Sequence, residues 1–291
     1  MSETNDITAR AKRSRILCLV YSTHLPPSYE NVNLKAQAET WGSECDGFIA
    51  ASNYTNHLVG SIDLVHNGPE SYSNMWQKVR SIWAYAHKHY RDDFDYFHIC
   101  GDDDYVVMDN LRAYLDGPEV IQLENGYMDR FSRGYPQWLP EMGPRPLLLG
   151  TPTLHKKFVV ISGGPGYTMN RAALDAVNEG MNVFYPYAHD SREDIFLAHS
   201  IQNLLSMSDT RDSNGSKRYG ESADFLFSFD GIGPDAPKIF AKALKMPPLP
   251  LGIDVVSEQF ISFHLKFEKP KLPDLIYRYH AVLHDWCNVS E

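Results

Sequence analysis

Ile16-Leu17-Cys18-Leu19-Val20-Tyr21 is a run of six residues without a charge or a turn-former. A strand that can be apolar at every position must be buried on both faces, which an antiparallel sheet with one wet side does not offer. The run ends in Ser22-Thr23-His24, small and polar, with Pro26-Pro27 beyond. Open α/β sheets bind ligands at the carboxyl ends of such strands. A second run, Tyr96-Phe97-His98-Ile99-Cys100, ends in Gly101 and three consecutive acids, Asp102-Asp103-Asp104, before Tyr105-Val106-Val107. Three adjacent carboxylates repel one another, so the triplet is open between an acidic surface turn and a cation site.

Between these runs the periodicity alternates. Asn33 to Trp41 has Leu34, Ala38 and Trp41 at helical spacing, and Gly42 stops it. Gly47 to Ala51 and Ile62 to Val65 read as strands, and Ser73 to Tyr90 as a helix with Trp76, Val79, Trp83 and Ala86 in one stripe. Strand, helix, strand, strand, helix, strand predicts an α/β fold with a largely parallel sheet flanked by helices. Asp109 to Leu115 predicts a short helix. Gly117 to Pro146, rich in Gly and Pro, reads as a long loop. Strands are expected at Leu147 to Gly150 and Phe158 to Ile161, then a glycine-rich junction, Ser162-Gly163-Gly164-Pro165-Gly166-Tyr167, and a helix from Asn170 to Glu179. Asp190 or Ser191 is a plausible N-cap for an apolar helix to Leu205, with Glu193 and Asp194 in its first turn, where the helix dipole favours acids. Asp209 to Gly215 reads as a polar turn, Lys242 to Gly252 as extended, Glu258 to Phe267 as a strand holding His264, and Leu275 to Trp286 as a helix. Taken alone, His264 is more often a packed or surface residue than a ligand.

The chain has 291 residues, 43% of them hydrophobic, enough for one large domain, and its net charge of −10 argues against a nucleic-acid partner. No stretch reaches the roughly 18 to 20 apolar residues of a membrane span, and the polar-to-basic start, residues 1–14, reads as disordered and not as a signal peptide. A soluble chain is expected. Of its 4 cysteines none forms a CxxC pair; Cys18 and Cys45 are either one disulfide or two buried apolar residues. N-x-S/T triplets at Asn53, Asn214 and Asn288 are weak secretory signals.

Several motifs stand in an order that resembles one family. They are Arg15-Ile16-Leu17-Cys18, Glu39-Thr40-Trp41-Gly42 with Cys45, Trp76-Gln77-Lys78 followed by Tyr85, His87, His89 and Tyr90, and then the acidic triplet. Asp109-Asn110-Leu111, the Gly163-Gly164 junction, Glu193-Asp194, Asp209-Thr210-Arg211-Asp212 and Ser262-Phe263-His264 follow. Together they resemble the core 1 β1,3-galactosyltransferases, inverting glycosyltransferases of the GT-A (Rossmann-like) group.

The resemblance implies one catalytic domain over residues 15–291, with a nucleotide-binding half to about residue 115 and an acceptor-binding half beyond. It implies UDP-galactose as donor, Mn²⁺ as cofactor, a glycoprotein or glycan acceptor carrying O-linked N-acetylgalactosamine, and a Golgi setting. By the same resemblance Asp102, Asp104 and His264 are the metal ligands. Asp102 and Asp103 lie at the diphosphate, Ser22, Thr23, Glu70, Tyr72 and Lys78 hold the donor, and Gly163 and Gly164 wall the sugar. Asp194 is the expected base and Glu193 the second candidate. The chain departs from the pattern in three places: Tyr105 follows the triplet directly where the family has one more residue, Ala198 replaces a glycine, and Lys238 to Gly252 stands where animal members have a tryptophan-rich segment and a Cys-Cys pair. A catalytically silent binding relative, another UDP-hexose specificity and a nucleotide-sugar hydrolase are the alternatives.

Overall fold

The computed structural model describes residues 13–23, 32–125, 143–155, 158–201, 206–209, 212, 218–220, 259–265 and 272–289. The 1–14 segment up to residue 12, the Asn214 triplet and Lys238 to Gly252 lie outside them. In chain order the elements are β1 (Ile16–Tyr21), α1 (Val32–Glu39), a 3-10 turn (Trp41–Glu44), β2 (Gly47–Ser52), β3 (Ser61–Asp63), α2 (Met75–Tyr90), β4 (Tyr96–Gly101) and β5 (Asp104–Val106). Then come α3 (Met108–Leu115), α4 (Pro118–Glu124), β6 (Leu147–Gly150), β7 (Pro152–His155), β8 (Phe158–Ile161), β9 (Tyr167–Asn170), α5 (Arg171–Val183) and α6 (Glu193–Ile201). The last are β10 (Ser206–Asp209), β11 (Tyr219–Gly220), β12 (Ser262–His264) and α7 (Leu272–Val289).

The main sheet has seven strands in the order β10-β6-β9-β4-β1-β2-β3. β3, β2, β1 and β4 run parallel, as do β10 and β6, while β9 is antiparallel to both its neighbours. The expected α/β class and mostly parallel sheet are what the chain forms. The unbroken apolar run of β1 is divided between two cores. Ile16, Cys18 and Val20 face a cluster built with α1, α3, α4 and α7, whereas Leu17 and Leu19 face one built with α2, α5 and α6. Alternate side chains of a strand point to opposite faces, so a strand sandwiched between helix layers must be apolar throughout.

Cys18 and Cys45 form a disulfide, which decides between the two readings of that pair. It ties the middle of β1 to the turn ahead of β2. The 27-residue separation corresponds to about 3.5 kcal/mol of unfolded-chain entropy in the loop-closure view. Among the described residues Cys100 is a free, buried thiol.

Several elements differ from expectation. Residues 118–124 form α4 inside the stretch read as loop; Gly117-Pro118 looked like a break, but Gly117 is the N-cap and Pro118 opens the helix, where its missing N–H costs nothing. β7, β9 and β10 were not expected because their four residues mix polar with apolar side chains, unlike the unbroken apolar runs of β6 and β8. β10 takes up Asp209, read as part of a polar turn. The helix read as ending at Leu205 is described from Glu193 to Ile201, with Asp190 accepting bonds from the amide and guanidinium of Arg192.

Candidate active site

The carboxyl ends of β1 and β4 lie side by side, Tyr21 opposite Gly101 in register. Beyond Gly101 the chain turns through Asp102 and Asp103 into β5, which pairs with β12 in a second, three-stranded sheet. Each acid of the triplet has a different partner. Asp102 Oδ2 accepts from Ser22 Oγ at 2.7 Å. Asp103 Oδ2 stands 3.2 Å from His264 Nε2, and Asp103 O accepts from the Leu265 amide. Asp104 is fully buried and accepts from the Gly101 amide at 2.7 Å. The turn is fastened from α1, whose buried Gln37 donates to Gly101 O at 3.0 Å and Asp104 O at 2.9 Å. Dispersing the three charges over three sets of donors is how the fold relieves their repulsion.

β12 places His264 directly opposite Asp104. The structure therefore brings His264 to the triplet across 160 residues of sequence, though its imidazole pairs with Asp103. Among the described residues no three His, Cys, Asp or Glu side chains are gathered closely enough to enclose an ion. Oxygen and imidazole donors nevertheless suit a hard or borderline divalent cation. Tyr105, one place earlier than in the family pattern, is buried on the core side, where its hydroxyl lies 3.1 Å from His280 Nδ1 of α7.

Lys78, in the second turn of α2, is almost wholly buried and contacts Glu70 Oε1. Glu70 Oε2 is 2.7 Å from His66 Nε2. Burial pushes the lysine's pKa down, while Glu70 and, more weakly, Asp102 and Asp63 resist. Burial pushes Glu70 up, but its bonds from His66 and Lys78 prevail and hold it below the ordinary carboxylate range. Thr23 is half-buried at the end of β1, and Tyr72 is 69% exposed.

Glu193 and Asp194 open α6 with opposite fates. Glu193 is 4% exposed and accepts from the Tyr167 hydroxyl at 3.0 Å. Burial, and next the neighbouring Asp194, push its pKa well above the ordinary value, which favours the neutral acid. Asp194 is half-buried; Oδ2 accepts from the Gly163 amide at 3.1 Å and Oδ1 from the Ile195 amide. A side chain at 163 would displace the Glu193 carboxyl group, since a Cβ there would stand 2.3 Å from its Oε1. Tyr21 joins the two acidic groups: burial, then Glu193, Asp104 and Asp103 raise its phenol. The triplet, Ser22, His264, Lys78 and the Glu193–Asp194 pair thus share one end of the sheet. Gln37, Tyr21, His66 and Tyr167 were missed in the sequence; only Gln37, a polar residue inside a buried helix, carried a signal.

No protein-family model matches the chain. A curated relative, glycoprotein-N-acetylgalactosamine 3-beta-galactosyltransferase 1 of Xenopus laevis, is 24% identical over 218 residues, 73% of this chain and 52% of that protein. The chain spans about half the length of that relative. A solved glycosyltransferase involved in the glycosylation of the major capsid of PBCV-1 superposes with a TM-score of 0.42 at 10% identity, covering 90% of this chain and 99% of that one, a likeness too low to argue from. The sequence relationship agrees with the motifs read above: this chain is similar to the glycoprotein-N-acetylgalactosamine 3-β-galactosyltransferases.

Proposed function

We propose that the chain is a metal-dependent inverting glycosyltransferase that moves galactose from UDP-galactose, in β1,3 linkage, to an O-linked N-acetylgalactosamine or related sugar. The observation that carries this reading is the shared sheet end, where a braced acidic triplet and an ionisable, half-buried Asp194 face one region. The similarity to a galactosyltransferase supports it.

In the reaction, Asp194 accepts the proton of the acceptor hydroxyl as that oxygen attacks the anomeric carbon. The bond from the anomeric carbon to the UDP oxygen breaks and UDP leaves with the electron pair, so configuration inverts. Asp194 suits this role because solvent reaches it and two amides stabilise its charged form. Glu193, buried against the Tyr167 hydroxyl, ties the start of α6 to β9 instead. Lys78 offers positive charge to the diphosphate. Asp103 and His264, with Asp102 and Asp104 beside them, would hold Mn²⁺, which when bound offsets charge on the leaving group. The Cys18–Cys45 disulfide supports an oxidising, secretory-pathway setting. Among the described residues no helix is long and apolar enough to cross a membrane.

The test is hydrolysis and transfer over a panel of UDP-sugars, with and without Mn²⁺. Metal-stimulated transfer from UDP-galactose is expected. Metal-stimulated hydrolysis with no transfer to any glycan acceptor would leave a hydrolase, and no turnover or binding of any UDP-sugar would end the enzyme reading.

A further inference from the structure

His66 lies in the irregular stretch between β3 and α2, outside every motif that marks the site, yet its side chain is only 6% exposed. Both ring nitrogens have oxygen acceptors in reach, Nε2 at 2.7 Å from Glu70 Oε2 and Nδ1 at 3.2 Å from Asn67 O, and the Asn74 amide nitrogen lies farther off, 3.5 Å from Nδ1. A neutral imidazole has one N–H and satisfies one such acceptor; an imidazolium satisfies both. Glu70's other oxygen holds Lys78, and Lys78 in turn feels Asp102. The order His66, Glu70, Lys78, Asp102 runs from the protein's flank to the acidic triplet.

This stretch is also fixed in place. Buried Asn74 donates to Asn67 O at 2.7 Å and to Pro69 O at 2.9 Å, and its Oδ1 accepts from His189 Nδ1 at 2.5 Å. His189 belongs to the loop that runs into Glu193 and Asp194. Gly68, with φ of +79°, lets His189 approach so closely that a Cβ would stand 2.4 Å from its Cε1.

We propose that His66 is a positioning residue for Lys78: acting through Glu70, it sets where the buried lysine stands and so how firmly the donor's diphosphate is gripped. The proposal rests on the glycosyltransferase reading. With His66 charged, the cluster of two cations and one carboxylate carries net positive charge toward an anionic ligand; with His66 neutral it carries none. The charged groups His66 faces are Glu70 on its own stretch and Lys78 from α2; Arg80 of α2 lines the same flank hollow of about 320 Å³, and His189 meets the same Asn74. The Glu70 bond, opposed by burial, raises His66 above 6.5. The cation is therefore present below that raised value and lost as pH climbs through it, so donor affinity weakens with rising pH.

The experiment measures UDP binding by calorimetry with Mn²⁺ present, and donor KM and kcat from roughly pH 6 to 8, for the unaltered chain, His66→Ala and His66→Gln. His66→Ala is expected to weaken UDP binding and raise donor KM about tenfold, the loss of one charged hydrogen bond, with kcat within about twofold. His66→Gln keeps a donor toward Glu70 without the charge, so it should recover part of the affinity and show a flat KM across the range. Unchanged UDP affinity and an unchanged KM profile in both variants would overturn the positioning role while leaving the enzyme reading intact. An unaltered chain that neither binds UDP nor turns over a UDP-sugar would overturn both.

Discussion

The triplet at residues 102–104 and the pair at 193–194 are both runs of adjacent carboxylates, and the fold treats them differently. In the triplet, repulsion is relieved by distribution: a serine, a histidine and a backbone amide each take one acid. In the pair it is relieved by neutralisation, since buried Glu193 is driven toward the protonated form while Asp194 keeps two amides and access to water. A turn between strands sends successive side chains in different directions, to separate partners. The first turn of a helix sends neighbouring residues about 100° apart, one into the core and one to the rim. Adjacent acids therefore need not share a role.

The sharpest way to break this contrast is to remove one charge at a time. Asp194→Asn should lower transfer by about a thousandfold, within the range for loss of a general base, while UDP binding by calorimetry stays near its original value. Transfer that survives this change would mean that another group takes the proton. On the triplet side, His264→Ala and Asp103→Asn should each cost roughly 10- to 100-fold in Mn²⁺-stimulated UDP binding, read by metal titration. If only Asp104→Asn has that effect, the buried acid is the cation's partner and the distribution described here is wrong.

Glu193→Gln should change transfer by about twofold or less, because the amide oxygen can still accept from the Tyr167 hydroxyl. A loss as large as that of Asp194→Asn would make the two acids equivalent. The same variant reports on stability. The folded value of Glu193 is raised above 4.5, so its contribution is whole below that pH and declines as pH rises toward the folded value. Melting curves against pH should show the unaltered chain losing ground to Glu193→Gln across that window, and parallel curves would contradict it.

How much of this was legible follows from what each residue depends on. The triplet's place at a strand end was readable because Tyr96 to Cys100 is apolar enough to require burial. That Glu193 and Asp194 begin a helix was readable from the apolar stretch after them. Their divergence was not, because it is decided by Tyr167 and Gly163, about thirty residues away in sequence and in contact only once β9 is paired. His66 was invisible for a similar reason: a histidine in an irregular stretch has no period to betray its burial, and its partners Glu70 and Lys78 are joined only when α2 docks. β9 itself, four residues long, left no trace beyond the glycines before it.

That short strand also fixes a registration tolerance. β9 meets β4 with Tyr167 opposite Ile99 and Thr168 opposite His98. Tyr167 faces the α2–α6 side, where it reaches Glu193, and Thr168 faces the other, where it meets His98 and Tyr219. A slip of one residue would exchange the two faces. It would leave a phenol facing the wrong layer and strip Glu193 of its bond. One inserted residue between Gly166 and Thr168 would thus act in two layers at once, because Thr168 meets Tyr219 of β11 and the Pro165 carbonyl accepts from Ser262 of β12.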